Sequence, residues 1–195
     1  AMESRGLGDV YKRQELEVPL DGHSLKSKIW RAVIRGIEGH EVPVYFLDTR
    51  HASNNAIHLN LSDRLYSGGD DMRVRQEYLL GVGGIRALKI LGHWPIKGLH
   101  LNEGHCSFAG LEMMRQGWAK EECSRRTLFT THTPVPAGHD KFDWELVDAV
   151  TGDLIGDDER RMATHEGLCS MSHLGIRMAG RVNAVSHLNS KVASE

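Results

Sequence analysis

The chain has 195 residues, of which 40% are hydrophobic and 26% charged, and its formal net charge is -2 at pH 7. This length suffices for one well-buried domain, with at most a small appendage. The near-neutral charge gives no reason to expect binding to nucleic acid or to an anionic membrane. No apolar run approaches the roughly 20 residues that span a bilayer. The 3 cysteines are odd in number and widely spaced, which favours a reducing cytoplasm over a disulfide framework.

Residues 1–14 do not match the pattern that follows them. The first two are typical of a cloning remnant, and the next twelve resemble a translated adapter sequence of the kind that contaminates assembled metagenomic genes. We therefore expect residues 1–14 to derive from cloning or from an adapter, and we exclude them from the fold prediction.

The first predicted elements are strands. Residues 29–34 have a β-rich composition, and residues 42–47 form a compact apolar run that predicts a strand buried on both faces apart from its start, where Pro43 is tolerated. The Asn- and His-rich residues 50–60 predict a surface loop, or alternatively a loop over a substrate cleft.

A long amphipathic helix is predicted over residues 72–91, with Asp70 or Asp71 as its N-cap. The glycines of residues 81–84 lie in the middle of this helix instead of after a strand, so they do not predict a dinucleotide-binding loop. We expect them to allow close packing of the helix against the sheet.

The remaining elements alternate between helix and strand. In chain order we predict helices at residues 105–118 and 119–126, a strand at 128–129, a helical or irregular segment from 144, a helix over 162–181, a strand at 182–186 and a helix from 187. This alternation predicts an α/β fold, with a Rossmann-like parallel sheet flanked by helices and joined by right-handed crossovers.

Two segments combine a short strand with a polar turn. Leu99 and Leu101 predict a further strand, with Asn102, Glu103 and His105 on the turn after it. The strand at 128–129 leads into the second segment. Residues 98–105 read GLHLNEGH, and residues 130–140 read TTHTPVPAGHD. In an open α/β sheet, ligand-binding groups collect at the carboxyl ends of the strands. We therefore predict that the two segments form one half of a binding cleft.

The side chains of these segments favour a sugar ligand, because Asn, Glu, His and Thr can donate to and accept from vicinal hydroxyls. The predicted substrate-binding residues are Asn102, Glu103, His132, Thr133, His139 and Asp140, together with His105.

Two other chemistries remain open for the same segments. A carboxylate pair of Glu103 and Asp140 would favour glycosidase-type catalysis. Convergence of several histidines would favour a metal site, although no HExxH-like spacing occurs. The histidines concerned are His100, His105, His132 and His139.

Five segments in the same order resemble the α-glucan (glycogen or maltodextrin) phosphorylases, most closely their shorter bacterial and archaeal branch. They are residues 44–49, 73–88, 100–105, 130–140 and 182–186, the last of which resembles the sequence that closes that family's N-terminal domain. The resemblance covers residues 28–195, which we identify as a partial N-terminal Rossmann-like phosphorylase domain.

The resemblance implies half of a glycosyltransferase-B fold, in which two Rossmann-like domains enclose the active site. The family converts α-1,4-glucan and phosphate to glucose 1-phosphate with the help of pyridoxal phosphate. His105 matches the family histidine that hydrogen-bonds the glucose and is our predicted catalytic residue. Asn102 and Glu103 match its neighbours.

The resemblance also implies what this chain lacks. The family's cofactor lysine, its phosphate-binding residues and its C-terminal domain would lie beyond Glu195, and Asn189-Ser190 replaces the usual His-Gly. We therefore expect no cofactor here, and glucan binding without phosphorolysis, because catalysis needs both domains around the sugar.

Two alternatives to glucan binding remain. In the first, the chain is a repurposed metal-binding, hydrolytic or redox protein that uses its histidines. In the second, it is a structural remnant that forms homo-oligomers through uncovered apolar surface.

Overall fold

The computed structural model describes residues 11–64, 68–132 and 138–186. The strands are β1 (Tyr11–Leu20), β2 (His23–Arg35), β3 (Glu41–Asp48), β4 (Leu99–Asn102), β5 (Thr127–Thr131), β6 (Lys141–Phe142), β7 (Thr164–His165), β8 (Leu168–Ser170) and β9 (Arg181–Ala184). The α-helices are α1 (Ala56–Leu59), α2 (Asp70–Tyr78), α3 (Gly84–Ile90), α4 (Phe108–Arg115), α5 (Lys120–Arg126), α6 (Trp144–Thr151), α7 (Asp157–Ala163) and α8 (Met171–Met178).

The first three strands form an antiparallel sheet in the order β1-β2-β3. Asp21 and Gly22 connect β1 to β2 with positive φ angles of 54° and 70°, as a tight two-residue hairpin requires. Strand β1 starts at Tyr11, which pairs with Arg31 of β2. The last four residues of the segment that we set aside therefore belong to this sheet, whereas residues 1–10 lie outside the described part. The origin of residues 1–14 stays a prediction.

Strand β3 corrects the prediction of a strand buried on both faces. Phe46, well inside the strand, is 48% exposed. The reason is that β3 belongs to an antiparallel sheet, in which one face packs on the core and the other faces water.

The second half of the chain confirms the predicted parallel sheet flanked by helices. Strands β4, β5 and β9 pair in parallel and in that order. Helices α4 and α5 connect β4 to β5, and α6, α7 and α8 lie between β5 and β9. This arrangement brings the carboxyl ends of β4 and β5 to one edge of the sheet, where both polar segments begin.

The predicted long helix is confirmed as α2 and α3, joined by a π-helical turn at Leu79–Gly83. The cap prediction is wrong, because the N-cap is Gly69 and it makes no side-chain cap hydrogen bond. Asp70 and Asp71 instead occupy the first turn, where negative charge is favoured by the helix dipole.

The glycines of this helix do permit close packing. A Cβ atom on Gly83 would lie 3.0 Å from Leu47 of β3, in agreement with the predicted approach to a sheet. A Cβ atom on Gly81 would lie 2.7 Å from the backbone nitrogen of Ala109, so this glycine packs against α4 instead.

The prediction of a single helix over residues 162–181 is wrong. A hairpin of β7 and β8 separates α7 from α8. Glu166 and Gly167 form its turn with φ angles of 53° and 81°. A two-residue turn with both φ angles positive reverses the chain within one step, which no helix permits. The helix predicted from residue 187 lies outside the described residues.

One cluster of buried side chains joins the antiparallel sheet to the helices and the parallel sheet. Its largest fully buried members include Tyr78, Phe108, Phe129 and Phe142. Within the described ranges, every helix is too short or too polar to cross a bilayer.

Two glycine substitutions in the same helix test this packing. Gly81→Ala should lower the free energy of unfolding by about 1–3 kcal/mol, because the new methyl group meets the backbone of α4. Gly84→Ala should raise it by up to about 1 kcal/mol, because Gly84 has open space and alanine is the better helix former. Urea denaturation measures both. Equal effects of the two substitutions would contradict the packing described here.

Candidate functional site

Glu103 joins the carboxyl ends of β4 and β5. Its side chain is buried, and Oε2 accepts hydrogen bonds from the backbone N–H of His132 at 2.6 Å and from Thr131 Oγ1 at 3.4 Å. Its own backbone N–H donates to the carbonyl of Thr130 at 2.9 Å. The φ angle of Glu103 is +68°, a conformation that is costly for a residue with a side chain. These hydrogen bonds hold the chain in that conformation.

His139 adds the start of α8 to the same site. Its Nδ1 lies 2.8 Å from Ser172 Oγ and 3.8 Å from Glu103 Oε1. Gly104 permits this approach, because a Cβ atom there would lie 3.0 Å from the Cβ atom of Met171. The two polar segments and α8 are therefore in direct contact.

Helix α2 contributes two ionisable residues, Arg73 and Glu77, that the sequence did not assign to the site. Arg73 Nη2 donates to Asp140 Oδ2 at 2.6 Å and to Glu77 Oε1 at 3.1 Å. His105 Nδ1 lies 3.6 Å from the same Asp140 oxygen. The four residues thus form one network, which we call the Arg73 network. The spacing of Arg73 and Glu77, one helical turn apart, was the available signal.

Burial controls the charges of this network. Glu77 is 2% exposed, and burial, with Asp140 nearby, raises its pKa to about 9 despite the opposing charge of Arg73. Burial also lowers the pKa of His105, and Asp140 only partly opposes this. At neutral pH the Glu77 carboxyl and the His105 ring are therefore uncharged. A neutral imidazole can donate at one ring nitrogen and accept at the other.

A cavity of about 350 Å³ opens beside His105. Its walls combine apolar side chains of β3 and the following helix with polar groups of α2. The lining residues are Tyr45, Phe46, Leu47, Ser62, Arg64, Arg73, Gln76, Glu77, Leu79, Leu80 and His105. The volume is in the range of small-molecule sites, and the mixed lining is typical of them.

The structure gathers most of the predicted site residues at one sheet edge. Glu103, His105, His139 and Asp140 are linked by the contacts above. Asn102 and His132 are exposed at the ends of β4 and β5, and Thr133 lies outside the described residues.

The metal and glycosidase alternatives receive less support from this geometry. Among the described residues, the group close enough to share a metal is Glu77, His105 and Asp140, whose ligand atoms lie within 4.8 Å of one another. The guanidinium of Arg73 already lies between the two carboxyl groups. His100 instead contacts Thr130 Oγ1 at 2.6 Å.

Glu103 likewise has a structural task. Its carboxylate accepts hydrogen bonds from β5 and the residue after it, whereas a glycosidase acid or nucleophile must face the sugar. The pKa of Cys106, beside His105, is raised by burial to about 11, so this thiol is not an activated nucleophile.

Comparisons with known proteins show which proteins this chain is similar to. No protein-family model matches it. A glycogen phosphorylase of Mycobacterium tuberculosis is 34% identical over 206 residues, and a maltodextrin phosphorylase of Thermococcus litoralis is 36% identical over 195 residues. The chain is homologous to these phosphorylases. The alignments cover 91% and 92% of this chain but only 23% and 22% of the relatives, so the chain spans about a quarter of their length.

A solved structure supports the fold independently. The catalytic domain of starch synthase IV from Arabidopsis thaliana, bound to ADP and acarbose, superposes with a TM-score of 0.66 at 18% identity. The match covers 92% of this chain and 34% of that one. At this identity the likeness concerns the fold alone, and it confirms the predicted glycosyltransferase-B class.

The buried carboxyl of Glu77 predicts a pH-dependent stability. Its pKa is raised in the folded state, so its contribution is fully present below pH 4.5 and lost as the pH rises through about 9. Glu77→Gln, which cannot ionise, should therefore gain stability relative to the native chain between pH 7 and pH 9. Urea unfolding at several pH values measures the difference.

Glu122→Gln is the matched control for this experiment. Glu122 also pairs with an arginine one helical turn away, but it is only half-buried and its pKa is lowered by Arg126. Its titration therefore ends below the pH window. An unchanged difference between Glu77→Gln and the native chain from pH 7 to pH 9 would contradict the assignment.

Proposed function

We propose that this chain binds an α-1,4-glucan such as maltodextrin at the edge formed by β4 and β5. The observation that carries the proposal is the uncharged His105 ring beside a cavity of about 350 Å³, within a network of polar residues. The homology to phosphorylases supports the choice of glucan, because the relatives are named for glycogen and maltodextrin.

Each site residue has a distinct role in this proposal. His105 exchanges hydrogen bonds with a sugar hydroxyl, and Asn102 and His132 contact the sugar from the exposed strand ends. Glu103 fixes the position of His132 through the backbone. His139 and Asp140 hold the second polar segment against α8 and α2, and we assign Thr133 to the sugar from the sequence alone.

We propose binding without turnover. In the family, pyridoxal phosphate supplies acid–base chemistry at its phosphate group and is held through a lysine. The cavity lining within the described residues contains no lysine, so these residues do not fit that cofactor and we assign no step to it. Glucose 1-phosphate release by the purified chain, dependent on the cofactor, would overturn this part.

Removing the His105 ring tests the binding site. His105→Ala should weaken binding of maltoheptaose by about tenfold, the loss expected for one or two hydrogen bonds to the ligand. Isothermal titration calorimetry at pH 7.5 measures the affinity. His40→Ala is the control, because His40 is exposed at the turn between β2 and β3. This variant should bind maltoheptaose with the affinity of the native chain. Equal affinities of all three proteins would contradict the role of His105 in sugar binding.

A second proposal concerns self-association, and the exposed face of β3 favours it. Val42 and Phe46 point to one face of the strand, where Ile34 of β2 is 45% exposed beside Val42. Contiguous apolar surface of this kind marks an interaction site. We propose that two copies of this chain associate through this face.

Replacing two of these side chains tests the association. The native chain should sediment with a mass that rises with concentration, whereas the double variant Val42→Thr, Phe46→Thr should remain monomeric, because the polar substitutions remove the apolar contact. Ile37→Thr is the control, since Ile37 is fully exposed in the turn beyond the sheet. A monomeric native chain at all concentrations would contradict the proposal.

We also propose a cytoplasmic location. Cys106, Cys123 and Cys169 are all free thiols, as expected in a reducing compartment.

A further inference from the structure

Glu77 is a carboxyl group in an almost entirely buried position. It lies on α2 with an exposed fraction of 2% and contacts Arg73 on its own helix. Asp140 approaches it from the second polar segment, and His105 from the first. A carboxyl group at such a position is costly compared with an apolar side chain of similar size. Its presence therefore calls for an explanation beyond packing.

The shared arginine explains what the carboxyl group does locally. Arg73 Nη2 is 2.6 Å from Asp140 Oδ2 but 3.1 Å from Glu77 Oε1, so the shorter and stronger hydrogen bond belongs to Asp140. A neutral Glu77 leaves the negative charge of the pair on Asp140. The ligand oxygens of Glu77 and Asp140 lie within 4.8 Å of each other, and the same Arg73 nitrogen contacts both carboxyl groups. Glu77 therefore helps to hold Arg73 in the position from which it binds the Asp140 carboxylate.

The position of Asp140 determines what His105 presents to the cavity. Asp140 Oδ2 lies 3.6 Å from His105 Nδ1. A carboxylate on that side favours a proton on Nδ1 and leaves Nε2 as an acceptor. At 3.6 Å this contact is longer than a hydrogen bond and acts through the charge of the carboxylate, which biases the ring toward one tautomer. The sequence separation of 67 residues between Arg73 and Asp140 shows that only the folded chain creates this arrangement.

We propose that Glu77 is a positioning residue, which fixes Asp140 and through it the tautomer of His105. Its effect on sugar binding rests on the proposed glucan-binding function, whereas its effect on the His105 ring does not. The charged and titratable groups that bear on His105 are Arg73, Glu103, His132 and Asp140; Arg73 and Asp140 also bear on Glu77.

The test compares three forms of the chain at Glu77. Histidine side-chain ¹⁵N NMR reports the tautomer and the titration midpoint of His105 without any sugar, and calorimetry with maltoheptaose reports the affinity. Glu77→Gln keeps a neutral hydrogen-bonding side chain, so we expect the native tautomer at neutral pH and an affinity within about twofold. Glu77→Leu removes the carboxyl group that shares Arg73 with Asp140, so we expect a mixture of tautomers and about tenfold weaker binding.

Glu112 provides a matched control. It is also fully buried, and it also pairs with an arginine, Arg86, at 2.9 Å, but it belongs to α4 and is not part of the Arg73 network. Glu112→Gln should change the stability of the chain and leave the NMR signals of His105 unchanged. This separates a local positioning effect from general destabilisation.

Each outcome decides the proposal. A folded Glu77→Leu chain with the native His105 tautomer and titration would overturn it. If Glu77→Leu does not fold, Glu77→Asp takes its place, because it withdraws the carboxyl by one methylene and should shift the tautomer in the same direction. Failure of the native chain to bind maltoheptaose would overturn the proposed function alone, since the NMR measurement needs no sugar.

Discussion

The candidate site depends on one buried carboxylate, that of Glu103. It accepts a hydrogen bond from the backbone N–H of His132, across the ends of two neighbouring parallel strands. The backbone of Glu103 itself adopts a φ angle of +68°. A left-handed backbone is unfavourable for glutamate by about 1–3 kcal/mol, so the hydrogen bonds to β5 must hold it. The consequence is geometric: the chain turns sharply after β4, and His105 follows directly in the cleft instead of continuing along the strand.

The second constraint is electrostatic. Three ionisable residues surround Arg73, and burial keeps one of them, Glu77, uncharged, with its pKa raised to about 9. The network therefore needs only one negative charge, on Asp140, to balance the arginine. The network itself therefore carries little net charge and offers hydrogen-bonding groups that suit hydroxyls, whereas Arg64 adds a positive charge to the cavity wall. The same balance disfavours a divalent metal, since Arg73 already occupies the position of the cation.

The sequence shows homology to phosphorylases, and the backbone shows the fold. The sequence is 34% identical to one segment of a glycogen phosphorylase, and the backbone matches a starch synthase domain at 18% identity. The chain spans about a quarter of the length of the phosphorylases that it matches. The activity of those whole proteins is therefore not assigned to this chain.

The sequence by itself determined the local elements and the polar segments. The long helix over α2 and α3, the strands β4, β5 and β9, and the residues from Asn102 to His105 follow from hydrophobic periodicity and turn chemistry, which act over a few residues. Tertiary structure alone decided which distant residues meet. It placed Arg73 against Asp140, and it made β3 an exposed outer strand. It also inserted a hairpin where the pattern predicts one helix. The physical reason is that burial, ion pairing and strand pairing depend on partners far away in the chain, which no local pattern specifies.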